Sequence, residues 1–193
     1  MRGWKMSSVN SSNLIKVILK YLKVNKEVKD DLVYNDLINN IETCINEVEK
    51  NSDFKYIYKY YTDKKDFLNN EPYMSFLGGC EGYYLVACTL GLWFEKQINY
   101  LSKVDVSKMI IMDAVGSAYL ELKANEYESS LLGDKTYRFC PGYSNSDIND
   151  IKLIYKLINA DKIGIEVLDS CMMIPQKSMI GIIGVKKYKV VKA

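Results

Sequence analysis

Apolar residues recur at three- and four-residue steps in four stretches of the chain, a spacing that places them on one face of an α-helix. These residues are Leu37, Ile41, Cys44, Ile45 and Val48 in the first stretch, Leu92, Phe94, Ile98 and Leu101 in the second, Val106, Ile110, Ala114, Ala118 and Leu122 in the third, and Ile151, Ile154, Tyr155 and Ile158 in the fourth. We therefore predict four helices, the first over residues 26–50, and we expect Ser146 or Asp147 to cap the last.

Four other stretches have the character of strands. Tyrosines alternate with other residues over 56–61, and apolar runs at 83–88, 163–168 and 178–185 are typical of buried strands. This makes the C-terminal third rich in β-structure. Because no repeat or Pro/Gly-rich linker divides the chain, we predict one α+β unit over residues 25–193, with residues 1–24 as a helical N-terminal extension.

The charge balance and the apolar runs narrow the possible partners. Lys and Arg total 26 against 24 Asp and Glu, so the net charge of +2 gives no strong field for steering onto nucleic acid. Without a basic groove, the tyrosine-rich stretch is better interpreted as one face of an antiparallel sheet than as a base-stacking surface. No stretch approaches the ~20 apolar residues of a spanning helix, and serines rather than an apolar signal core follow the first basic residues. We expect a cytoplasmic protein that binds neither nucleic acid nor membrane.

Cysteine and histidine usage excludes several classes of site. The 5 cysteines form no Cys-x-x-Cys pair, which argues against a disulfide framework and a structural zinc site. The chain contains 0 histidines, so it lacks the usual general base and the commonest transition-metal ligand. A metallohydrolase or a Ser-His hydrolase is therefore disfavoured.

Arg138 precedes a predicted Pro141-Gly142 turn and is the first candidate for ligand binding. A guanidinium can bind a carboxylate through two parallel hydrogen bonds, and a turn exposes backbone donors and acceptors. The alternative is that Arg138 pairs with an acidic side chain of the protein itself. Both interpretations remain open at this point.

Asp113 and Glu121 are the acidic candidates on the third predicted helix. Eight residues at about 100° per residue place them about 80° apart, so they only partly share a face. We expect solvated carboxylates by default. If Asp113 were buried among the small residues around it, it would need a partner and would become a site candidate.

The order and spacing of several motifs resemble the S-adenosylmethionine-binding activation domain of cobalamin-dependent methionine synthase, particularly its free-standing bacterial form. The family pattern has Arg-x-x-Pro-Gly-Tyr, a helix, a Gly-(Ile/Met)-x-Leu-Thr-Glu-Ser segment and Met-x-Pro-x-x-Ser-Val-Ser-Gly. The matching residues here are Arg138, Pro141 to Tyr143, Ile151 to Asn159, Gly164 to Ser170, and Met173 to Gly181. Upstream, Cys88 to Gly91 and Met112 to Ala118 also match segments of the free-standing relatives.

The resemblance implies a fold with a central antiparallel sheet flanked by helices, and a site for S-adenosylmethionine. It assigns the ligand carboxylate to Arg138, and main-chain or ring contacts to Cys140, Gly142 and Tyr143. Cys140 would contact the ligand through its main-chain atoms, so no thiol chemistry is implied. Asp113, Glu121 and Ser178 are the further cofactor-binding candidates.

The resemblance also implies a helper in reductive reactivation. The chain would present the methyl group of S-adenosylmethionine to cob(I)alamin on a cobalamin-binding methionine synthase subunit, with a flavodoxin or ferredoxin-type reductant. Cobalamin would come on the partner, because this chain has no Asp-x-His-x-x-Gly motif and no histidine to ligate cobalt. The chain would be a component of a methyltransferase system and would not be catalytic by itself.

Some family positions differ, and two alternatives stay open. The family's Leu-Thr-Glu-Ser corresponds to residues 167–170, where the acid is Asp169, and its second serine near the C-terminus corresponds to Ile180. The acidic residue on the family's long helix aligns with Ser117, one turn before Glu121. The chain could instead sense S-adenosylmethionine or corrinoid status as a degenerate binding module, or activate another corrinoid methyltransferase.

Overall fold

A three-stranded antiparallel sheet in the order β1-β2-β5 separates two layers of helical structure in the computed structural model, which describes residues 8–24 and 32–187. The strands are β1 (Lys55–Tyr61), β2 (Cys80–Thr89) and β5 (Ser178–Lys186). Tyr56 pairs with Cys88, and Val86 pairs with Gly181. The predicted strands at 56–61, 83–88 and 178–185 are therefore confirmed, and the sheet is antiparallel, as the resemblance implied.

The helical layer on one side of the sheet contains α1 (Ser8–Tyr21), α2 (Leu32–Asn51), α4 (Leu92–Val104) and α5 (Val106–Ser129). In α2 the buried residues include Ile41, Cys44 and Val48, as the apolar spacing predicts. Gly116 in α5 allows close packing, since a Cβ there would lie 2.2 Å from Cζ of Phe94. The second and third predicted helices are confirmed, and so is the first from Leu32 onwards; residues 26–31 of that prediction lie outside the described residues.

Helix α1 packs onto this same layer. Leu14 and Ile18 are buried in the core that α5 also forms. The prediction of a helical N-terminal segment is thus confirmed, and the burial of its apolar residues ties that segment to the long helix. The proposed boundary near residue 25 lies outside the described residues.

The opposite face of the sheet is covered by α6 (Asp150–Ile158) and α3 (Tyr73–Phe76), together with 3₁₀ turns at Asp66–Asn69 and Ala160–Ile163. Ile154 and Ile158 of α6 pack in one cluster with Leu85 and Ile182 of the sheet. The fourth predicted helix is confirmed. Within the described residues, no helix is long and apolar enough to cross a membrane.

The predicted strand at 163–168 is wrong over most of its length. The 3₁₀ turn ends at Ile163, and Gly164 adopts φ 82°, a left-handed conformation that interrupts an extended chain. Only β3 (Glu166–Val167) is extended, and it pairs with β4 (Met173–Ile174) in a separate two-stranded sheet. A short apolar run does not distinguish a buried strand from a buried turn.

The predicted cap of α6 also differs from the structure. The helix begins at Asp150, and the preceding Asn149 makes no side-chain capping hydrogen bond. Oδ1 of Asp147 instead accepts a hydrogen bond from the backbone N–H of Asn149 at 2.9 Å, in the turn that leads into the helix. The hydroxyl of Ser146 instead accepts a hydrogen bond from the backbone N–H of Gly142, four residues upstream in the Pro-Gly turn.

Candidate functional site

A cavity of about 1380 Å³ opens between α5, the segment 133–144 and the region around β4 and the start of β5. Its lining combines charged residues with an apolar wall. The charged residues include Glu121, Glu128 and Arg138, and the apolar wall includes Phe139, Met173, Met179 and Ile180. The segment singled out from the sequence as the ligand site therefore forms one side of the cavity.

The Pro141-Gly142 turn has the geometry expected from the sequence. The backbone N–H of Tyr143 donates to the carbonyl oxygen of Cys140 at 3.4 Å, and Gly142 has φ 91°, which favours glycine. The N–H of Gly142 donates to Oγ of Ser146 at 2.9 Å. Gly142 is not among the residues that line the cavity, whereas Cys140, Pro141 and Tyr143 are.

Tyr143 and Cys140 occupy different depths of the cavity. Tyr143 is 71% exposed, so its ring is free to contact a bound ligand. Cys140 is half-buried, and burial raises the pKa of its thiol although Arg138 acts in the opposite direction. A protonated thiol is a poor nucleophile, which agrees with the expectation that Cys140 contributes no thiol chemistry.

Strand β5 positions the side chain of Arg138. Phe139 exchanges two backbone hydrogen bonds of 2.8 Å with Ile182, so the segment that contains Arg138 runs beside β5. Gly181 lies beneath the arginine stem, and a Cβ at that position would come 2.7 Å from Cγ of Arg138. The absence of a side chain at Gly181 thus lets the guanidinium reach across the sheet towards α5.

The guanidinium of Arg138 is bound by two carboxylates from α5. Nη1 donates to Glu128 and Nη2 donates to Glu121. The side chains of Arg138 and Glu128 are 7% and 11% exposed, while that of Glu121 is 44% exposed. Tyr56 adds a hydroxyl 3.3 Å from Glu128. We call Arg138, Glu121 and Glu128 the arginine cluster.

The arginine cluster carries one more negative charge than positive charge when all three groups are ionised. Burial raises the pKa of Glu128, although both Arg138 and the Tyr56 hydroxyl act to lower it. Burial opposes the charged form of Arg138, but the two acids outweigh it and raise the pKa of the guanidinium. Arg138 therefore stays protonated, and the cluster is negative overall when both acids are ionised.

Ser178 is buried, and its hydroxyl contacts other parts of the protein. Its Oγ lies 2.6 Å from the carbonyl oxygen of Pro175 and 2.8 Å from Oγ1 of Thr89. Ser178 lines the cavity, but these contacts chiefly join the start of β5 to the end of β2. Its hydroxyl is an available ligand contact only if it exchanges one of them.

Asp113 does not belong to the cavity lining. Its carboxylate is exposed and lies 2.7 Å from Nζ of Lys177, which also donates to Oγ of Ser117 at 2.9 Å. The condition under which Asp113 would become a candidate, burial among small residues, is not met. Of the two acids considered on this helix, Glu121 lies at the cavity and Asp113 holds the segment before β5. We call Lys177, Asp113 and Ser117 the lysine cluster.

Glu128 was not identified from the sequence. The stretch from Glu126 onwards is polar and suggested that the helix had ended, whereas α5 continues to Ser129. Glu121 and Glu128 are seven residues apart, which places them about 20° from a common line on a helix. That spacing could have revealed the paired acids, had the helix been extended by two turns.

Comparison with known proteins supports the fold through structure alone. No protein-family model matches the sequence, and no curated protein sequence matches it significantly. Among solved structures, the chain is similar to the MetH reactivation domain bound to AdoHcy, with a TM-score of 0.62 and 14% identity. The match covers 93% of this chain and 78% of that chain. The chain thus has the α+β fold of that domain, with its antiparallel sheet flanked by helices.

Proposed function

We propose that this chain binds S-adenosylmethionine in the cavity beside Arg138 and serves as a cytoplasmic reactivation subunit for a corrinoid methionine synthase. The observation that carries the proposal is the position of the cavity. It lies on the Arg138 to Tyr143 turn, in a chain whose fold is that of a reactivation domain with AdoHcy bound. AdoHcy is what S-adenosylmethionine becomes after it has given up its methyl group.

The dimensions and lining of the cavity suit such a ligand. Small-molecule sites usually measure about 300 to 1,000 Å³, so a cavity of about 1380 Å³ can hold an adenosyl amino acid and remain open on one side. Tyr137, Tyr143 and Met172 line it and are 73%, 71% and 62% exposed. These side chains offer a ring surface for the nucleoside and an apolar rim for a docked partner.

The chemistry assigned to the chain is chiefly one of positioning. S-adenosylmethionine supplies a sulfonium methyl group, which passes to a reduced corrinoid on the partner protein as the bond to sulfur breaks and AdoHcy remains. The chain would hold the sulfonium in place and exclude water, a contribution worth up to ~7 to 11 kcal/mol in favourable cases. A flavodoxin or ferredoxin-type protein would supply the electron that keeps the corrinoid reduced.

Calorimetric titration tests the assigned ligand directly. We expect S-adenosylmethionine and AdoHcy to bind with dissociation constants below about 1 mM, equivalent to ~4 kcal/mol. Replacing Tyr143 by Ala should weaken both by about tenfold, because stacking on an aromatic ring contributes ~1 to 3 kcal/mol. Tyr100→Ala is the matched control, since Tyr100 is exposed on α4 and does not line the cavity. No binding to the native chain would overturn the assignment.

Reactivation needs a second assay. The chain, S-adenosylmethionine and a flavodoxin-type reductant should restore activity to a methionine synthase whose corrinoid has been oxidised, and the absorption spectrum should return to that of the methylated corrinoid. Binding without restored activity would instead favour a sensing module. Copurification with a different corrinoid protein would favour activation of another methyltransferase.

A further inference from the structure

We infer that Glu121 is a displaceable internal occupant of Arg138, whose place a ligand carboxylate must take. The inference rests on the proposed function and concerns the same cavity. It starts from the observation that Nη1 and Nη2 of Arg138 both already donate to carboxylates of the protein. A ligand carboxylate that binds Nη1 and Nη2 through two parallel hydrogen bonds therefore competes with both protein carboxylates.

The two carboxylates are held unequally. Glu128 is buried, and Tyr56 stands 3.3 Å from it in addition to Arg138. The Glu121 side chain is 44% exposed, so water can solvate its carboxylate as soon as it leaves the guanidinium. Releasing Glu128 from Arg138 would leave a buried carboxylate with only the Tyr56 hydroxyl as its partner, which is far more costly than releasing Glu121. Glu121 is therefore the carboxylate that can leave.

The charge of the arginine cluster favours exchange over addition. With Arg138 and both acids ionised, the cluster already has an excess of one negative charge. A ligand carboxylate placed beside both acids would raise that excess to two in a partly dry site, where like charges repel strongly. If Glu121 swings into solvent, the local charge around Arg138 is unchanged. Arg138 thus pairs with Glu121 in the free chain and with the ligand carboxylate in the complex.

This exchange predicts that removing the internal competitor tightens binding. Glu121→Gln should bind S-adenosylmethionine about fivefold more tightly than the native chain, the upper range for a partly exposed ion pair. The same variant should bind decarboxylated S-adenosylmethionine no more tightly than the native chain does, because that ligand has no carboxylate to exchange. Glu121→Ala provides a second variant that lacks the competing carboxylate.

Titration calorimetry of the two ligands against the native chain, Glu121→Gln, Glu121→Ala and a control provides the test. The control is Glu126→Gln, which removes a charge from the same helix at a residue that pairs with Lys123 and does not line the cavity. Glu126→Gln should leave both affinities unchanged. If the native chain binds S-adenosylmethionine and the Glu121 variants bind it equally or more weakly, the inference is overturned but the ligand assignment is not. No binding by any of the proteins would overturn the ligand assignment and the inference with it.

Discussion

The two ion clusters on α5 have the same composition in outline but different surroundings. In each, a cation from the C-terminal half of the chain meets oxygen ligands from the long helix. Lys177 binds Asp113 and Ser117; the side chain of Lys177 is 12% exposed and that of Asp113 is 52% exposed. Arg138 binds Glu121 and Glu128, and Glu128 is 11% exposed. The lysine cluster joins α5 to the segment before β5, whereas the arginine cluster lines the cavity.

The two clusters differ in what each loses when one partner is removed. A pair whose acid is half exposed gains little from its charges, because water screens them and solvates that acid when the cation is removed. A buried cluster loses the solvation of each charge and depends on every partner being present. We therefore expect the arginine cluster to be the part of α5 that responds to a ligand or to pH. The lysine cluster does not line the cavity, so we expect no response to the ligand there.

Replacing Arg138 by Met should have the largest effect of any single change in either cluster. It keeps most of the stem but leaves two carboxylates facing each other without a cation, and losing one partner of a buried pair costs ~3 to 5 kcal/mol. Urea unfolding at neutral pH measures the free energy of unfolding. Lys177→Met is the matched change in the other cluster, and we expect it to cost about 1 kcal/mol or less. Similar costs for the two variants would contradict the distinction between the clusters.

Gly181→Ala tests how β5 supports the arginine cluster. The added methyl would lie 2.7 Å from Cγ of Arg138 and 2.9 Å from the carbonyl oxygen of Phe139, so the arginine stem must shift. Overpacking of this kind costs ~1 to 3 kcal/mol. In an Arg138→Ala background the cost should fall, since Cγ is absent there. A double-mutant cycle of unfolding free energies measures this coupling, and additive costs would show that Gly181 does not act through Arg138.

Much of the fold could be predicted from the sequence because its signals are local. The helical spacing of Ile41, Cys44 and Val48 reports a face that the structure buries. The alternation of tyrosines over 56–61 reports an edge strand of the sheet. The strand predicted at 163–168 is wrong over most of its length, because an apolar run such as Ile163 to Leu168 fits a turn packed into the core as well as a strand.

The site was harder to predict because its contacts join distant residues. The turn at Gly142 follows from its own dipeptide, but the partners of Arg138 lie 10 and 17 residues earlier on α5. The sequence leaves open whether Arg138 pairs with acids of the protein itself, and the structure shows two such pairs. Neither the burial of the Arg138–Glu128 pair nor the exposure of Asp113 could be predicted from sequence spacing, because both depend on how α5 lies against β5.

Glu128→Gln should have an intermediate effect that depends on pH. Arg138 keeps Glu121, so we expect a cost of about 1.5 to 2 kcal/mol at neutral pH, at the lower end of the range for a hydrogen bond to a charged group. Burial raises the pKa of Glu128 above its usual value of 4.5, so the folded chain binds that proton more tightly than the unfolded chain. The native chain should therefore gain stability relative to the variant as the pH falls from 7 towards 4.5. Urea unfolding across this range measures the difference, and an opposite slope would contradict the raised pKa.

Asp113→Asn should have the smallest effect and tests the lysine cluster directly. Its carboxylate is half in water, so losing its charge should cost about 0.5 kcal/mol or less, and added salt should reduce even that difference. Affinity for S-adenosylmethionine should not change, because Asp113 does not line the cavity. Unfolding at low and high salt, with calorimetry on the same protein, measures both quantities. If ligand binding weakened while the unfolding free energy stayed normal, Asp113 would contact the ligand. The two clusters of α5 would then not differ in function.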